Sequence, residues 1–311
     1  MDTATVARFE ASRNRLASLA YRLLGSAADA EDTVQDAFLR WQAADREYVE
    51  VPEAWLTKIV TNLALDRLRS AKVRRERAVG AWMPEPLLDG DPMLGPADTV
   101  EQRESVTLAV LTLMERLSPV ERAAYVLREA FAYSHAEIAE ILGITESGSQ
   151  QHTHRARRRI AAAGNGTDID HASARRIVEA FVDAASSGRT ERLVALLTDD
   201  ATGISDGAGL AEKLIRYSTP ERIASAARAG FKPSPAKRRF AGGSPSIHAV
   251  VINGCPAMLV TLDDRVVGVV ILEIRDDKIT GVRSIAAPDR LGRLTEEWQR
   301  QEHDVPLIES W

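Results

Sequence analysis

Residues 134–160 read SHAEIAEILGITESGSQQHTHRARRRI, and they carry the clearest structural signal in the middle of the chain. The apolar side chains of Ile138–Leu142 give a short helix one buried face. Gly143 ends that helix at a position where a positive φ is easiest. Thr145 is then a candidate N-cap for a second helix. The stretch therefore predicts a helix-turn-helix, a layout typical of proteins that bind duplex DNA.

The second predicted helix carries polar side chains near its start and arginines further along. Polar side chains there reach base edges in the major groove, and guanidinium groups meet phosphates. The alternative is an ordinary helical hairpin with a solvated charged tail. The exposed positions before the arginine run are Ser147, Gln150, Gln151 and His154.

Size and composition restrict the class of protein. The 311 residues suffice for two or three domains. A net charge of −5 means that affinity for nucleic acid must come from local basic clusters. The single cysteine, Cys255, excludes a disulfide framework and a cysteine-rich zinc site. Without a membrane span or secretion signal, we expect a soluble cytoplasmic protein with no metal, no cofactor and no membrane contact.

The first part of the chain, Val6 to about Arg77, has helical periodicity throughout. Ser26 can cap a helix whose apolar face includes Val34 and Trp41. The opposite face of that helix is largely acidic, which indicates a basic protein partner. A later helix beginning near Glu53 ends in a basic segment suited to phosphate. The outward polar residues of the acidic helix are Asp32, Gln35, Asp36 and Arg40.

Breaks in the pattern divide the chain into four parts. We predict a helical domain at 1–78, a flexible linker rich in proline and glycine at 79–104, the helix-turn-helix domain at 105–164, and a further domain at 168–311. The last domain begins with helices predicted at 174–185 and 190–197. Hairpin signals such as Asn253-Gly254 then separate valine- and isoleucine-rich runs, which predicts an antiparallel meander and an α+β fold. These runs cover 246–252, 257–262, 266–274 and 279–285.

The first half of the chain resembles the extracytoplasmic-function (ECF) sigma factors, the dissociable promoter-reading subunits of bacterial RNA polymerase. Residues 31–38, EDTVQDAF, are similar to conserved region 2.2. Trp55-Leu56 through Asn62, followed by DRLR at 66–69, is similar to regions 2.3 and 2.4. Residues 134–160 are similar to region 4.2. The order of these motifs makes the resemblance specific.

The second half resembles the SnoaL-like, NTF2-like cone fold, and residues 82–86, WMPEP, resemble the linker signature of the ECF subgroup that carries this domain. Two other signatures are altered: 206–210 read DGAGL where the subgroup has DGGGK, and 287–291 read APDRL where it has NPDKL. The implied fold is multidomain, with two all-α domains followed by an α+β cone. Loss of the lysine at Leu210 removes a cation from the first signature.

The resemblance implies an alternative sigma factor that binds core polymerase, recognises the −10 and −35 promoter elements and starts transcription. The implied partners are promoter DNA and polymerase, through the β′ clamp helices and the β flap. Asp32, Gln35, Asp36 and Arg40 would bind the clamp helices. The −10 element would meet the 43–52 loop with Asn62, Arg67, Arg69, Arg74 and Arg75. The −35 duplex would meet Ser147, Gln150, Gln151, His154, Arg155 and Arg158.

Two functions stay open for the last domain. As a regulatory module acting in cis, it would use the linker signature and two loops, and Asp206 and Asp289 would approach basic helix ends. As an enzyme or a sensor of an unknown small molecule, it would use an apolar pocket, with His248, Glu273 and Tyr217 as candidates. A ligand-responsive repressor is the alternative for the whole chain. The residues of the regulatory hypothesis are Trp82, Pro84, Glu85, Pro86, Asp206, Gly207, Gly209, Pro288, Asp289, Arg290 and Leu291.

Overall fold

The protein forms two compact units in the computed structural model. Residues 1–78 and 90–164 make up the first unit, and residues 79–89 and 165–311 the second. The structure describes residues 3–45, 49–75, 83–95, 102, 105–161, 171–211, 213–232, 234 and 242–310, without the side chains of 3–5 and 71–75. Among these residues no helix is long and apolar enough to cross a membrane.

The first unit is helical, as predicted. Its N-terminal helices pack Tyr21, Trp41 and Val60 in their interior. The predicted cap at Ser26 is confirmed, because its side chain accepts a hydrogen bond from the Asp29 backbone. The N-terminal helices are α1 (Thr3–Leu24), α2 (Ala27–Ala43) and α3 (Pro52–Arg75), and a 3-10 turn (Pro92–Leu94) precedes α4 (Leu108–Met114), α5 (Pro119–Glu129), α6 (His135–Leu142) and α7 (Glu146–Ile160).

The helix-turn-helix prediction is confirmed in its capping chemistry. Capping boxes open α5 and α6, where Ser118 pairs with Glu121 and Ser134 with Glu137. Gly143 ends α6 at φ 65°, and Thr145 accepts a hydrogen bond from the start of α7. These caps satisfy backbone groups that the short helices leave without partners. They therefore fix where each helix begins and ends.

The second unit combines helices with a six-stranded sheet in its described residues. The strand order is β2-β1-β6-β5-β4-β3, and every neighbouring pair is antiparallel except β1 with β6. The strands are β1 (Leu197–Ser205), β2 (Ile215–Tyr217), β3 (Ser246–Ile252), β4 (Cys255–Leu262), β5 (Arg265–Arg275) and β6 (Lys278–Ile285). The helices are α8 (His171–Ser186), α9 (Thr190–Val194), α10 (Pro220–Phe231) and α11 (Gly292–Arg300).

The predicted meander is confirmed, and one predicted helix is shorter than expected. The helix predicted at 190–197 ends at Val194, because Leu197 already pairs with Ile279 as the first residue of β1. Helices α8 and α10 pack on one face of the sheet, where the rings of Phe181 and Phe231 meet edge-on. This arrangement places an apolar cavity between the sheet and the helices.

The segment predicted as one flexible linker, 79–104, is divided between the units. Its described residues 83–89 belong to the second unit, and 90–95 to the first. Met83 and Leu87 are buried in the second unit, whereas Met93 is buried in the first. The structure therefore differs from the prediction, because prolines and glycines that break helices still leave backbone groups free to pair with a folded domain.

Candidate nucleic-acid and polymerase interfaces

Helix α7 presents one exposed polar stripe. Ser147, Gln151, His154 and Arg158 are exposed and recur at intervals of three or four residues, so they share one side of the helix. Gln150 is also exposed. The opposite side packs on the unit through Ser149, Thr153, Ala156 and Ile160, which are buried. The stripe thus has the exposure that a helix needs in order to enter a major groove.

Gly148, a residue of low helix propensity near the start of α7, has a local explanation. Its N–H donates to the Thr145 hydroxyl at 3.0 Å. A Cβ at position 148 would lie 3.1 Å from that same hydroxyl oxygen. Glycine therefore leaves space for the cap at the start of α7, although it lowers the intrinsic stability of the helix.

Glu121 anchors the basic end of α7. Its carboxylate accepts hydrogen bonds from Arg155 at 2.9 Å and from Arg159 at 2.8 Å, and from the Ser118 backbone at 3.0 Å. Burial by itself raises the pKa of Glu121, but the Ser118 and Arg155 hydrogen bonds outweigh burial and the pKa is lowered. Arg155, a predicted −35 residue, is thus an ion-pair partner of α5 in this structure.

The acidic side of α2 is exposed but partly neutralised. Arg67 of α3 lies 2.9 Å from Asp36, 3.6 Å from Asp32 and 3.7 Å from Asp29, measured between guanidinium nitrogens and carboxylate oxygens. Arg67 was predicted to contact the −10 element, and the structure instead brings it to the predicted polymerase-binding residues. Gln35 and Arg40 are exposed on the same helix.

The other predicted −10 residues lie along α3. Asn62 is half-buried, and Arg69 is exposed and pairs with Asp66 at 3.0 Å. Because seven residues separate Asn62 from Arg69, they lie on the same side of the helix two turns apart. The side chains of Arg74 and Arg75, and loop residues 46–48, lie outside the described part of the chain.

A polar cluster joins α1 and α3 to the turn before α6. Arg15 donates to the Tyr133 hydroxyl at 2.7 Å and to the Thr57 hydroxyl at 3.1 Å. The hydroxyl oxygens of Tyr133 and Thr57 lie 3.1 Å apart, and the Thr57 hydroxyl donates to the Glu53 carbonyl. The Arg15 guanidinium also stacks near the Tyr133 ring. The sequence gives no signal for this cluster, because residues 15, 57 and 133 share no local pattern.

The start of the linker is bonded to the sheet of the second unit. The Leu87 N–H donates to Asn253 Oδ1 at 2.8 Å, and the Asn253 N–H donates to the Leu87 carbonyl at 3.0 Å. The Asp89 N–H donates to the Val251 carbonyl at 3.0 Å. Pro84, Glu85 and Pro86 of the linker signature are buried, whereas Trp82 lies outside the described residues. The residues directly after the signature, Leu87 and Asp89, thus pair with the β3–β4 hairpin.

The next part of the linker is held by the first unit. Arg22 of α1, a fully buried arginine, donates to the Leu94 carbonyl at 2.8 Å and to the Ser105 hydroxyl at 2.9 Å. Burial lowers its pKa to about 10. A group this buried still carries its charge near neutral pH, so it needs the carbonyl acceptor that the linker supplies and the hydroxyl acceptor of Ser105 directly after the linker.

Asp206 holds two loops of the second unit together. Only 2% exposed, it accepts hydrogen bonds from the backbone of Ala208 at 2.9 Å, Ala286 at 2.9 Å and Ala287 at 2.8 Å. Its carboxylate is therefore directed into its own domain. Asp289 is exposed and lies 3.6 Å from Arg290. Gly207 and Gly209, next to Asp206, adopt positive φ. Leu291 is buried at the end of the 3-10 turn that begins at Pro288.

The three candidate catalytic residues do not converge. Glu273 makes two contacts with Arg283, at 2.7 and 3.0 Å. His248 packs edge-on against Trp298, and burial lowers its pKa. Only Tyr217 lines the cavity. The described cavity lining contains no aspartate, glutamate or histidine, and the described residues contain no cluster suited to a metal ion.

Comparison with known proteins identifies the family of the two helical groups. Residues 8–74 match the family model of sigma-70 region 2, and residues 107–160 match that of sigma-70 region 4. The two helical groups therefore define a sigma factor that carries an additional C-terminal domain. The chain belongs to the ECF sigma factors of RNA polymerase, which bind core polymerase and promoter DNA.

Individual relatives from Mycobacterium tuberculosis match much of the chain. The chain is 41% identical over 213 residues to the ECF RNA polymerase sigma factor SigJ, covering 68% of each chain. It is 31% identical over 296 residues to the probable ECF RNA polymerase sigma factor SigI, covering 94% of this chain and 96% of SigI. The crystal structure of SigJ matches with a TM-score of 0.68 at 30% identity, over 92% of this chain and 97% of SigJ.

Proposed function

We propose that the C-terminal domain modulates promoter use in cis by holding the linker between the two DNA-binding helical groups. The pairing of Leu87 and Asp89 with the β3–β4 hairpin carries this proposal. The linker lies between regions 2 and 4 in the chain, so a domain that follows region 4 captures the segment that sets the reach between them.

The effect on reach follows from chain geometry. An extended chain spans at most about 3.3–3.6 Å per residue. The seven residues 83–89 contribute up to about 25 Å of separation when they are released. While they are bound, that length is fixed by the C-terminal domain. Release of the linker therefore changes which spacings between the −10 and −35 elements the protein tolerates.

The remaining surfaces have assigned roles in this proposal. The acidic side of α2, with Asp32, Gln35, Asp36 and Arg40, binds the β′ clamp helices of polymerase, and Arg67 organises these carboxylates. Asn62 and Arg69 of α3 lie on the side that meets the −10 element, and Arg74 and Arg75 extend it. The α7 stripe reads the −35 duplex, and region 4 also meets the β flap. Each site binds weakly alone, and polymerase makes the second contact intramolecular.

Substitution of Asn253 tests the proposal. Asn253 has φ 50°, so Asn253→Gly preserves the turn while it removes the acceptor of the buried Leu87 N–H. A buried donor left without a partner costs about 1–3 kcal/mol, which favours release of the linker. Asp263→Gly is the matched control, because Asp263 also has positive φ, at the β4–β5 turn, and lies outside the linker contact.

The measurement is transcription reconstituted with core polymerase on promoters whose spacers differ in length. We expect Asn253→Gly to change the preferred spacer or the initiation rate, and Asp263→Gly to behave as wild type. If Asn253→Gly and a chain ending at Gly164 both match the full-length wild type in rate and in promoter preference, cis modulation is wrong.

A further inference from the structure

The cavity of the second unit is large and apolar. Its volume is about 750 Å³, within the range of about 300–1,000 Å³ that small-molecule sites occupy. Protein interiors are normally packed without voids of this size. Its walls come from the helices through Phe181, Ile223 and Phe231, and from the sheet through Met258 and Val270. A packing defect does not account for this volume.

The few polar groups in the lining define the chemistry of an occupant. Tyr217, Ser205, Ser284 and Thr295 line the cavity, and Arg265, which is exposed, is its one charged residue among those described. The Ser205 hydroxyl already accepts from the Gly207 N–H, and Thr295 accepts from Val266. A buried ion needs a compensating partner, so the lining fits an uncharged molecule with one or two hydrogen-bonding groups.

The rim of the cavity is built from the two loops that Asp206 holds together. Ala208 belongs to the loop after β1, and Ala286 and Pro288 to the segment after β6, and all three line the cavity. Asp206 bonds directly to the backbone of Ala208 and Ala286. Ala208 also adopts φ 58° without being glycine, a conformation that the surrounding contacts must maintain. A molecule in the cavity therefore contacts the same backbone segments that the Asp206 hydrogen bonds hold in place.

We propose that this cavity binds an uncharged, largely apolar small molecule, and that occupancy changes the conformation of the loops at 206–210 and 286–291 and thereby the cis modulation of transcription. The second part rests on the function proposed above. The molecule is bound and not converted, because the described lining offers no carboxylate or imidazole as a general base.

Binding is tested on the full chain with Nile red, an uncharged apolar dye. We expect saturable one-to-one binding with increased fluorescence, a raised melting temperature, and displacement by progesterone but not by decanoate. Val270→Phe and Ala227→Leu fill the cavity from the sheet and from α10, and each is expected to weaken binding about tenfold or more. Val305→Phe is the matched control, because Val305 is 70% exposed and does not line the cavity.

Three results overturn the binding site: no saturable binding, displacement by decanoate as effective as by progesterone, or equal binding by wild type and by both filled variants with wild-type circular dichroism. Coupling is tested by adding Nile red to reconstituted transcription. A change in promoter preference in wild type that is lost in Val270→Phe supports it. If Nile red binds without that change while Asn253→Gly does alter promoter preference, coupling is wrong and cis modulation stands. If Asn253→Gly and the truncated chain both transcribe as wild type, cis modulation and the coupling fail while the binding site stands.

Discussion

Removal of the Tyr133 hydroxyl should loosen the packing of region 4 on region 2. In the first unit, Tyr133 precedes α6 and accepts a hydrogen bond from Arg15 of α1. Because Thr57 donates to the Glu53 carbonyl, the Tyr133 hydroxyl is left to donate to Thr57. In the proposed mode of action, the two helical groups separate in order to reach the −10 and −35 elements together. The Tyr133→Phe variant preserves the ring beside Arg15 and removes only the hydroxyl.

The magnitude follows from the two hydrogen bonds that are lost. A neutral hydrogen bond contributes about 0.5–1.5 kcal/mol, and one to a charged group about 1.5–3 kcal/mol. Arg15 is half-buried, so solvent weakens its contribution and the low ends apply. A total of about 2 kcal/mol corresponds to about a 30-fold shift of the equilibrium from the packed toward the separated arrangement.

Single-molecule energy transfer measures this equilibrium directly. Arg13→Cys and Glu140→Cys place dyes on exposed positions of α1 and α6. Cys255 should stay unlabelled, because it is buried and burial raises its pKa to about 12. We expect more low-transfer molecules for Tyr133→Phe and for Arg15→Met, and no change for the control Tyr217→Phe. Identical distributions for wild type, Tyr133→Phe and Arg15→Met would refute the reasoning.

Three further predictions concern the charged contacts of the first unit. The pKa of Glu121 in the folded protein is lowered, so its contribution to stability is present above the ordinary pKa of 4.5 and is lost as pH falls through the folded pKa. In melting temperatures measured over a pH series, Glu121→Gln should therefore reduce the fall at acid pH. An unchanged fall would contradict this. Arg67→Glu places a fourth carboxylate among Asp29, Asp32 and Asp36 and should weaken binding to core polymerase in fluorescence anisotropy, whereas Arg69→Glu should not. Equal losses of affinity in the two variants would contradict their assignment to different surfaces. Arg158→Ala should reduce promoter binding by holoenzyme and its salt slope by about one, whereas Arg157→Ala, which pairs with Glu129, should have little effect; the reverse order would contradict the assignment of the α7 stripe.

Local signals predicted much of the fold. Capping residues such as Ser26 and Thr145 act within four residues of themselves, so the chain alone reveals where α2 and α7 begin. The strands β3 to β6 follow from valine-rich runs between turn residues, because strand periodicity is also local. β1 was missed, since Thr198, Asp199 and Asp200 interrupt its apolar pattern and its pairing with β6 comes from residues about eighty positions away.

The candidate surfaces were harder to predict, because their decisive contacts are distant in sequence. Arg67 meets Asp36 across 31 positions, and Asp206 meets Ala286 across 80. The charge of Arg67 suggested DNA, and only the packing of α3 on α2 brings it to carboxylates. The sequence suggested that Asp206 makes an exposed interdomain contact. In the structure it is buried and accepts hydrogen bonds from three backbone N–H groups, so it holds two loops of its own domain together.

The linker is bonded to the second unit in this structure, and the proposed cis modulation requires that it can also be released. Pro84 and Pro86 lack N–H groups, so the segment can offer only a few donors to a sheet, and Leu87 and Asp89 supply two of them. The three hydrogen bonds between the linker and the hairpin contribute about 1.5–4.5 kcal/mol, and burial of Met83 and Leu87 adds about 1.5–3 kcal/mol for each side chain. Release in the proposed mode of action therefore needs polymerase and promoter contacts made together, and an unpaired linker would leave the C-terminal domain without influence on promoter spacing.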